Sequence, residues 1–378
     1  MRNRLAPVPG EWIDRTRTFS FNYEGEQVTA CAGDVITSAV MASGRRTLAR
    51  SFKYHRPRGV LSFANHDANV LVETATQTNI RADVSAPEAG AAYRAVNTWG
   101  GLRSDAGRLL GLCAPILPVG FYYKAFYRPR FLFPWWEKLI RHMAGLGRVA
   151  TALPAVRTPR RHRWCDVLVI GAGASGLAAA RVLGAAGVRV ILADEQARPG
   201  GSLLHLRAGE DGARACLDAL PEGLAGVTVL PGHCAAGWYA EQGVPLVGAD
   251  GISFVHARAT IVATGLYEQP AVFRNNDLPG VMLTGAAARL ARLYAVRPFR
   301  AGVVLAGHPE ACAHAIALRA LGLPIVALVD LGQVGGAALD LARAAGLQVI
   351  ANATVVEARA QRGELAALTV RTRDGGLT

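Results

Sequence analysis

The residues whose types and spacing can do chemistry begin at Gly171-Ala172-Gly173-Ala174-Ser175-Gly176, a G-x-G-x-x-G run directly behind the apolar stretch Val167-Leu168-Val169-Ile170. Each glycine has its own task in such a turn. Gly171 permits a tight change of direction, Gly173 lets the backbone approach a pyrophosphate, and Gly176 lets the following helix lie close on the strand. Ser175 falls in the first helical turn, where free N–H groups and the positive end of the helix dipole favour an anion. Asp194 follows eighteen residues after Gly176, at the end of the next apolar run. A carboxylate there accepts hydrogen bonds from ribose hydroxyls and repels a 2′-phosphate, so the pattern favours NAD or FAD over NADP. It does not choose between NAD and FAD.

Such a site needs a strand, a helix and a second strand to hold it. The spacing predicts a strand over Val167–Ile170, a helix from Ser175 to Ala186 capped by Gly187, and a strand from Val188 to Ala193. A second unit of the same order follows, with a strand at Val303–Ala306, a helix at Glu310–Leu321 and a strand at Ile325–Val329 ending in Asp330. Gly307 precedes Asp330 by the same 23 residues that separate Gly171 from Asp194. Pro309 and Cys312 stand where Gly173 and Gly176 stand in the first unit, and neither suits close backbone approach to a phosphate. One bound dinucleotide is therefore expected. Residues 347–373 read as strands with a turn at Arg362-Gly363.

Ahead of these units, Thr18–Tyr23 alternates as a strand, Glu24-Gly25-Glu26 turns, and Gln27–Cys31 reads as its partner. Asp34 suits the N-cap of a helix carrying Val35, Ile36, Ala39 and Val40 on one face, with Gly44 as its stop. A basic loop, Ser51–Gly59, leads to a strand around Asn69–Thr74. This is the order of a β-grasp domain of the plant-ferredoxin type, whose cluster loop carries cysteines at C-x4-C-x2-C spacing. The loop here has no cysteine, so no Fe–S cluster is expected. Residues 87–163 read as an irregular connector rich in Gly, Pro and aromatics. The division expected is 1–86, the β-grasp domain with its N-terminal arm; 87–163, the connector; 164–285, the dinucleotide-binding domain; and 286–378, a second α/β domain.

Composition narrows the function classes. The formal charge is +13, but lysine occurs only at 53, 124 and 138, and the arginines are spread along the chain. The denser run Arg157–Arg163 reads as a solvated linker, and nucleic-acid binding is not expected. The cysteines, at 31, 113, 165, 216, 234 and 312, lie far apart with no CxxC, which argues against a disulfide framework or a metal site. The apolar run Leu109–Tyr123 is short for a membrane span and is broken by Pro115 and Pro118. No apolar segment follows Met1-Arg2-Asn3-Arg4, so no secretory signal is expected and a cytoplasmic location is the default.

Two further motifs resemble those of disulfide-reductase-like flavoproteins: Gly200-Gly201-Ser202 after the acidic residue, and a strand ending in Ala263-Thr264-Gly265. The fold class expected is α/β, a two-dinucleotide-domain flavoprotein-like fold behind a cluster-free β-grasp domain. Taken with Gly33-Asp34, the Ser51–Gly59 sequence SFKYHRPRG, Gly120-Phe121-Tyr122-Tyr123-Lys124, Asp194-Glu195 and Asp277–Met282, the whole chain resembles the alpha subunit of heterotetrameric sarcosine oxidase. Related amine, proline and opine dehydrogenase subunits share much of this layout.

That resemblance implies NAD held by this chain, FAD in a beta subunit, FMN at their interface and further, smaller subunits. It implies oxidation of a secondary amine, with electrons passing through partner flavins to oxygen. NAD would touch Gly171, Gly173, Ser175 and Gly176, then Asp194, Glu195, Gln196, Gly201 and Ser202, with Ala235 near the adenine and Thr264-Gly265 closing the site. No acid, base or nucleophile is assigned to this chain, and His55, His66, His308 and His314 read as structural or surface histidines. The family's alpha subunit is longer, with a folate-binding second half, so the chain reads as part of a longer subunit. A self-contained FAD-dependent oxidoreductase and a non-catalytic interaction subunit are the alternatives.

Overall fold

The computed structural model describes residues 3–65, 67, 70–113, 128–143, 151–152, 157–205, 224–240 and 243–376. The Gly120–Lys124 segment, most of the Leu109–Tyr123 run and His66 lie outside the described residues. The chain divides into two compact units, one of residues 1–153 with 270–378 and one of residues 154–269.

The first unit opens with β1 (Asp14–Tyr23) and β2 (Glu26–Ala32), paired antiparallel. Glu24 and Gly25 both take positive φ, and the Gly25 N–H donates to Asn22 Oδ1 at 2.8 Å, a tight hairpin turn whose twist suits the flanking strands. Helix α1 (Ile36–Ala42) is buried on every side, not along one face as its pattern suggested. Asp34 is not its N-cap either; Val35 is. The Asp34 carboxylate instead accepts from the Cys31 N–H and Ser38 Oγ and pairs with Arg4, tying down the N-terminal arm. The short strands β3 (Ala49–Arg50) and β4 (Pro57–Arg58) pair across the basic loop. Then β5 (Leu71–Glu73), β6 (Ile80–Arg81) and β7 (Ala92–Ala95) complete a five-stranded sheet in the order β2-β1-β7-β5-β6. The connector is not irregular throughout, because Phe133–Met143 forms helix α2, with Pro134 tolerated in the first turn.

Asp83, behind β6, is buried, and its Oδ1 accepts no hydrogen bond. Burial pushes its carboxyl up from its ordinary value, against the lowering pull of the Asp67 N–H and Arg81. A carboxyl raised on folding stabilises the fold below its unfolded value and loses that contribution as pH rises through its folded value. Asp83→Asn is therefore expected to gain about 1 kcal/mol at neutral pH, the cost of one poorly solvated polar atom. The gain should shrink as the pH falls through the carboxylate range, which melting curves at pH 7 and pH 4 would measure.

The second unit is one sheet in the order β10-β9-β8-β13-β12-β11. It is built from β8 (Arg160–Ile170), β9 (Val190–Asp194), β10 (Val227–Pro231), β11 (Cys234–Ala235), β12 (Val244–Gly248) and β13 (Gly251–Val262). The first three strands and β13 run parallel; β12 pairs antiparallel with β13, and β11 antiparallel with β12. Helix α3 (Ala174–Ala185) follows β8. Residues 190–193 are buried without alternation because both sheet faces are covered. Leu168, Ile191 and Ala193 pack against Leu246 and Val255, while Val169, Val190 and Leu192 pack under Leu177 and Ala180 of α3. The basic run at 157–163 is not simply a linker: from Arg160 it is strand, paired residue by residue with β13.

The first unit resumes with α4 (Thr284–Tyr294), β14 (Gly302–Ala306), α5 (Pro309–Ala320), β15 (Ile325–Asp330), α6 (Gly336–Ala344) and β16 (Val349–Ile350). Strands β14, β15 and β16 are parallel. Strands β17 (Thr354–Gln361) and β18 (Glu364–Arg371) then pair around Arg362-Gly363, the turn read from the sequence. Here the acid after the second strand is consumed internally. Buried Asp330 accepts from the amides of Gly332, Val334 and Asn352 at 2.9–3.3 Å. His308 Nδ1 accepts from the Glu310 N–H and so caps α5.

Candidate dinucleotide site

The glycine turn between β8 and α3 is closed by contacts that no side chain could share. Gly171 has φ +102°, and a Cβ there would lie 2.2 Å from the carbonyl oxygen of Ala263, just past β13. A Cβ on Gly176 would lie 1.8 Å from the Gly171 carbonyl oxygen, so the helix reaches its strand only because that position is bare. Gly173 differs. Its backbone is ordinary, with φ −76°, and the nearest atom to an added Cβ is Gly201 Cα at 4.0 Å. The space in front of it is therefore open. Gly201, with φ +53°, comes close from the other side, since its own Cβ would lie 2.7 Å from Gly173 Cα.

Gly173 is also the N-cap of α3, and no side chain caps that helix or adds an acid to its first turn. The first amides of a helix have no partner within it. Those of α3 therefore meet solvent beside exposed Ala174 and Ser175, the arrangement that receives a phosphate. The contrast with α5, which His308 caps, separates the two units on geometry. A pyrophosphate fits the first and has no cradle of this kind at the second.

Asp194 ends β9 beside the turn. Its Oδ2 accepts from the Ala172 N–H at 2.5 Å and its Oδ1 from the Gln196 N–H at 2.7 Å. The His233 N–H donates to the Asp194 carbonyl at 2.8 Å, and the Gly232 N–H to that of Gln196 at 2.9 Å. The structure thus brings together Gly171, Gly173, Gly176, Gly201, Asp194 and Gln196. Ser202 is exposed in the turn Gly201–Leu204, and Glu195 is exposed after β9. Ala235, half-buried on β11, pairs with Leu246 of β12. Thr264 and Gly265 are exposed beyond β13, with Gly265 at φ +79°. Sequence reasoning passed over Tyr267, two residues further on. Its side chain is exposed, and slight loss of hydration and then the Glu195 carboxylate push its phenol up.

The fold and the cradle define a mixed α/β chain with a dinucleotide-binding domain behind a ferredoxin-type domain, as the sequence led one to expect. Residues 169–219 match the family described as NAD(P)-binding Rossmann-like domain, and residues 16–98 the family described as 2Fe-2S iron-sulfur cluster binding domain. The chain is similar to sarcosine oxidase subunit alpha of Rhizobium meliloti (strain 1021), at 37% identity over 84% of this chain and 35% of that protein. Its identity to sarcosine oxidase subunit alpha of Corynebacterium sp. (strain P-1) is 32%, over 96% of this chain and 36% of that one. It thus spans about a third of the length of these relatives, which are oxidoreductase subunits. Among solved structures, L-proline dehydrogenase from P. horikoshii shares the fold, with TM-score 0.64 and 17% identity over 100% of this chain and 60% of that one.

One expectation is corrected. The absence of cysteines from the loop after α1 led to a chain with no Fe–S cluster, and the match over residues 16–98 to a 2Fe-2S binding family overturns that inference. Within that span the chain has one cysteine, Cys31, buried on β2. Among the described residues no group of three or more His, Cys, Asp or Glu side chains is placed to hold a metal ion. Among the described residues no helix is long and apolar enough to cross a membrane.

Proposed function

We propose that this chain is the dinucleotide-holding part of an alpha-type subunit, in a multi-subunit oxidoreductase that oxidises a secondary amine of the sarcosine class. The carrying observation is the uncapped N-terminus of α3 inside a glycine cradle with Asp194 beside it. The identity to sarcosine oxidase alpha subunits supports the substrate class. In this reading the dinucleotide is NAD. Gly171, Gly173, Ser175 and Gly176 take its pyrophosphate, and Asp194, Glu195 and Gln196 take a ribose. Gly201, Ser202, Ala235, Thr264 and Gly265 border it.

Asp194 has a double duty here: its carboxylate holds the Ala172 amide, which shapes the turn, and its charge disfavours a 2′-phosphate. A partner subunit carrying FAD supplies the redox chemistry on the amine, with oxygen as the final acceptor. This chain's residues bind, orient and shield the nucleotide.

The test is the identity of the dinucleotide released when the purified chain is denatured, read by absorbance and mass. NAD without flavin is expected. Stoichiometric FAD would make the chain a flavoenzyme in its own right, and an empty chain that also fails to take up added NAD would favour the interaction-subunit alternative.

A further inference from the structure

We propose that His162 and His256 form a two-point site for a transition-metal cation of tetragonal preference, Cu(II) or Ni(II), that clips β8 to β13. The two strands are parallel neighbours in which His162 stands opposite Phe254 and Trp164 opposite His256. Residues two apart on a strand share a face, so both imidazoles rise from the same side. His162 Nδ1 lies 3.0 Å from His256 Nε2. The ring planes are 16° apart with centroids at 5.3 Å. The nitrogens are thus closer than the ring centres by nearly two ring radii, which sets them edge to edge.

Imidazole nitrogen suits Zn, Cu and Ni. Nitrogens 3.0 Å apart, each about 2.0–2.1 Å from one cation, subtend about 90° at it, nearer a square-planar than a tetrahedral angle. Without metal, one ring donates its proton to the other. To bind, both rings turn so that their lone pairs converge on one cation, and the proton between them passes through solvent to the other nitrogen of its own ring, which stays neutral.

The strand pairing favours such a site. The paired backbones fix the spacing along the whole length of the ladder. Arg161 and Arg163 alternate onto the other face, where they pair with Asp250 and with Ser253 Oγ. On the near face, the Asp166 carboxylate is held by Arg189 at 2.9–3.0 Å with Arg258 4.0 Å away, and exposed Arg160 stands two residues before His162. Among the described residues no third protein ligand joins the pair, so water completes the shell. Trp164, 65% exposed, lies alongside His256 with ring centroids at 5.3 Å and planes 17° apart. Its indole should therefore report a bound Cu(II) by quenching.

The experiment is titration of the full chain with CuCl2, followed by calorimetry and tryptophan emission, on the parent and on His162→Gln, His256→Gln, the double variant and Trp164→Phe. Each single histidine variant is expected to bind at least about tenfold more weakly, as loss of one of two protein ligands requires. The double variant should lose the site. Trp164→Phe should keep the affinity and lose most of the quenching. Cu(II) should also raise the melting temperature of the parent and not of the double variant. A double variant that binds Cu(II) as tightly as the parent, or a Trp164→Phe chain quenched as strongly, would overturn the proposal. Both histidines lie on an open strand face, so unchanged circular dichroism separates loss of the site from loss of fold.

Discussion

Gly173→Asp is expected to leave the unliganded protein as stable as the parent, or slightly more so, while weakening NAD binding at least about 100-fold. Both halves of the expectation come from the same few atoms. The Gly173 backbone is one that any L-residue adopts, and its Cβ would have open space. An aspartate at the N-cap accepts from the helix amides that are otherwise uncapped, a gain over glycine of a few tenths of a kcal/mol, with a similar contribution from the helix dipole. Those same amides are the proposed pyrophosphate donors. The variant thus satisfies them internally and places a negative charge where two phosphates must lie.

Gly173→Ser serves as the comparator. It caps without charge, and its loss of affinity should be nearer tenfold, the worth of competing hydrogen bonds alone. Calorimetric titration with NAD, beside melting curves without it, reads both quantities. If Gly173→Asp binds NAD as the parent does, the pyrophosphate is not at α3, and the proposed site fails while the fold stands.

The glycine cradle was legible because its information is local. A strand, a turn that needs positive φ at Gly171, and a helix that needs a bare Gly176 all fall within a few residues, and the contact at Gly176 is with Gly171 itself. The same holds for the Glu24-Gly25 and Arg362-Gly363 turns. What could not be read depends on residues distant in sequence. Asp34 looks like an N-cap by type and position, but Arg4 and the Cys31 amide claim its carboxylate, and a residue engaged there cannot also cap α1. The run at 157–163 looks like a solvated linker by charge; β13, some ninety residues later, turns it into strand. The approach of Gly201 to Gly173 leaves no mark in the pattern except a glycine pair. Counting cysteines in the loop after α1 was a judgement about ligands, and it said nothing about which family the hairpin and helix of 16–98 belong to.

Asp105→Ala is expected to be strongly destabilising to the first unit, by about 3–5 kcal/mol, because it leaves three hydrogen-bond donors, from His55, Trp99 and Gly107, without an acceptor at about 1–3 kcal/mol each. His55 and Asp105 are fifty residues apart, and both side chains are fully buried. Asp105 Oδ2 lies 2.7 Å from His55 Nδ1, and its Oδ1 accepts from the amides of Trp99 and Gly107 at 2.8 and 3.0 Å. One carboxylate therefore fixes the SFKYHRPRG loop to the segment from Trp99 onward. Arg50 seconds it by donating to the carbonyls of His55 and Leu102.

His55 holds a left-handed backbone, φ +51°, and a Cβ on Gly107 would lie 2.3 Å from its ring, so the imidazole cannot move aside when its partner is lost. Asp105→Asn should cost less, about 2 kcal/mol, because the amide oxygen can still serve the two backbone donors. It must, however, turn its NH2 toward Nδ1. That shifts the ring proton to Nε2, which is buried and has no hydrogen-bond partner. The expected order of melting temperatures is parent, then Asp105→Asn, then Asp105→Ala, the last lower by roughly 10 °C. A melting temperature for Asp105→Ala within a degree or two of the parent would mean that the loop is held by Arg50 and its carbonyls instead, and Arg50→Ala would then show the larger drop.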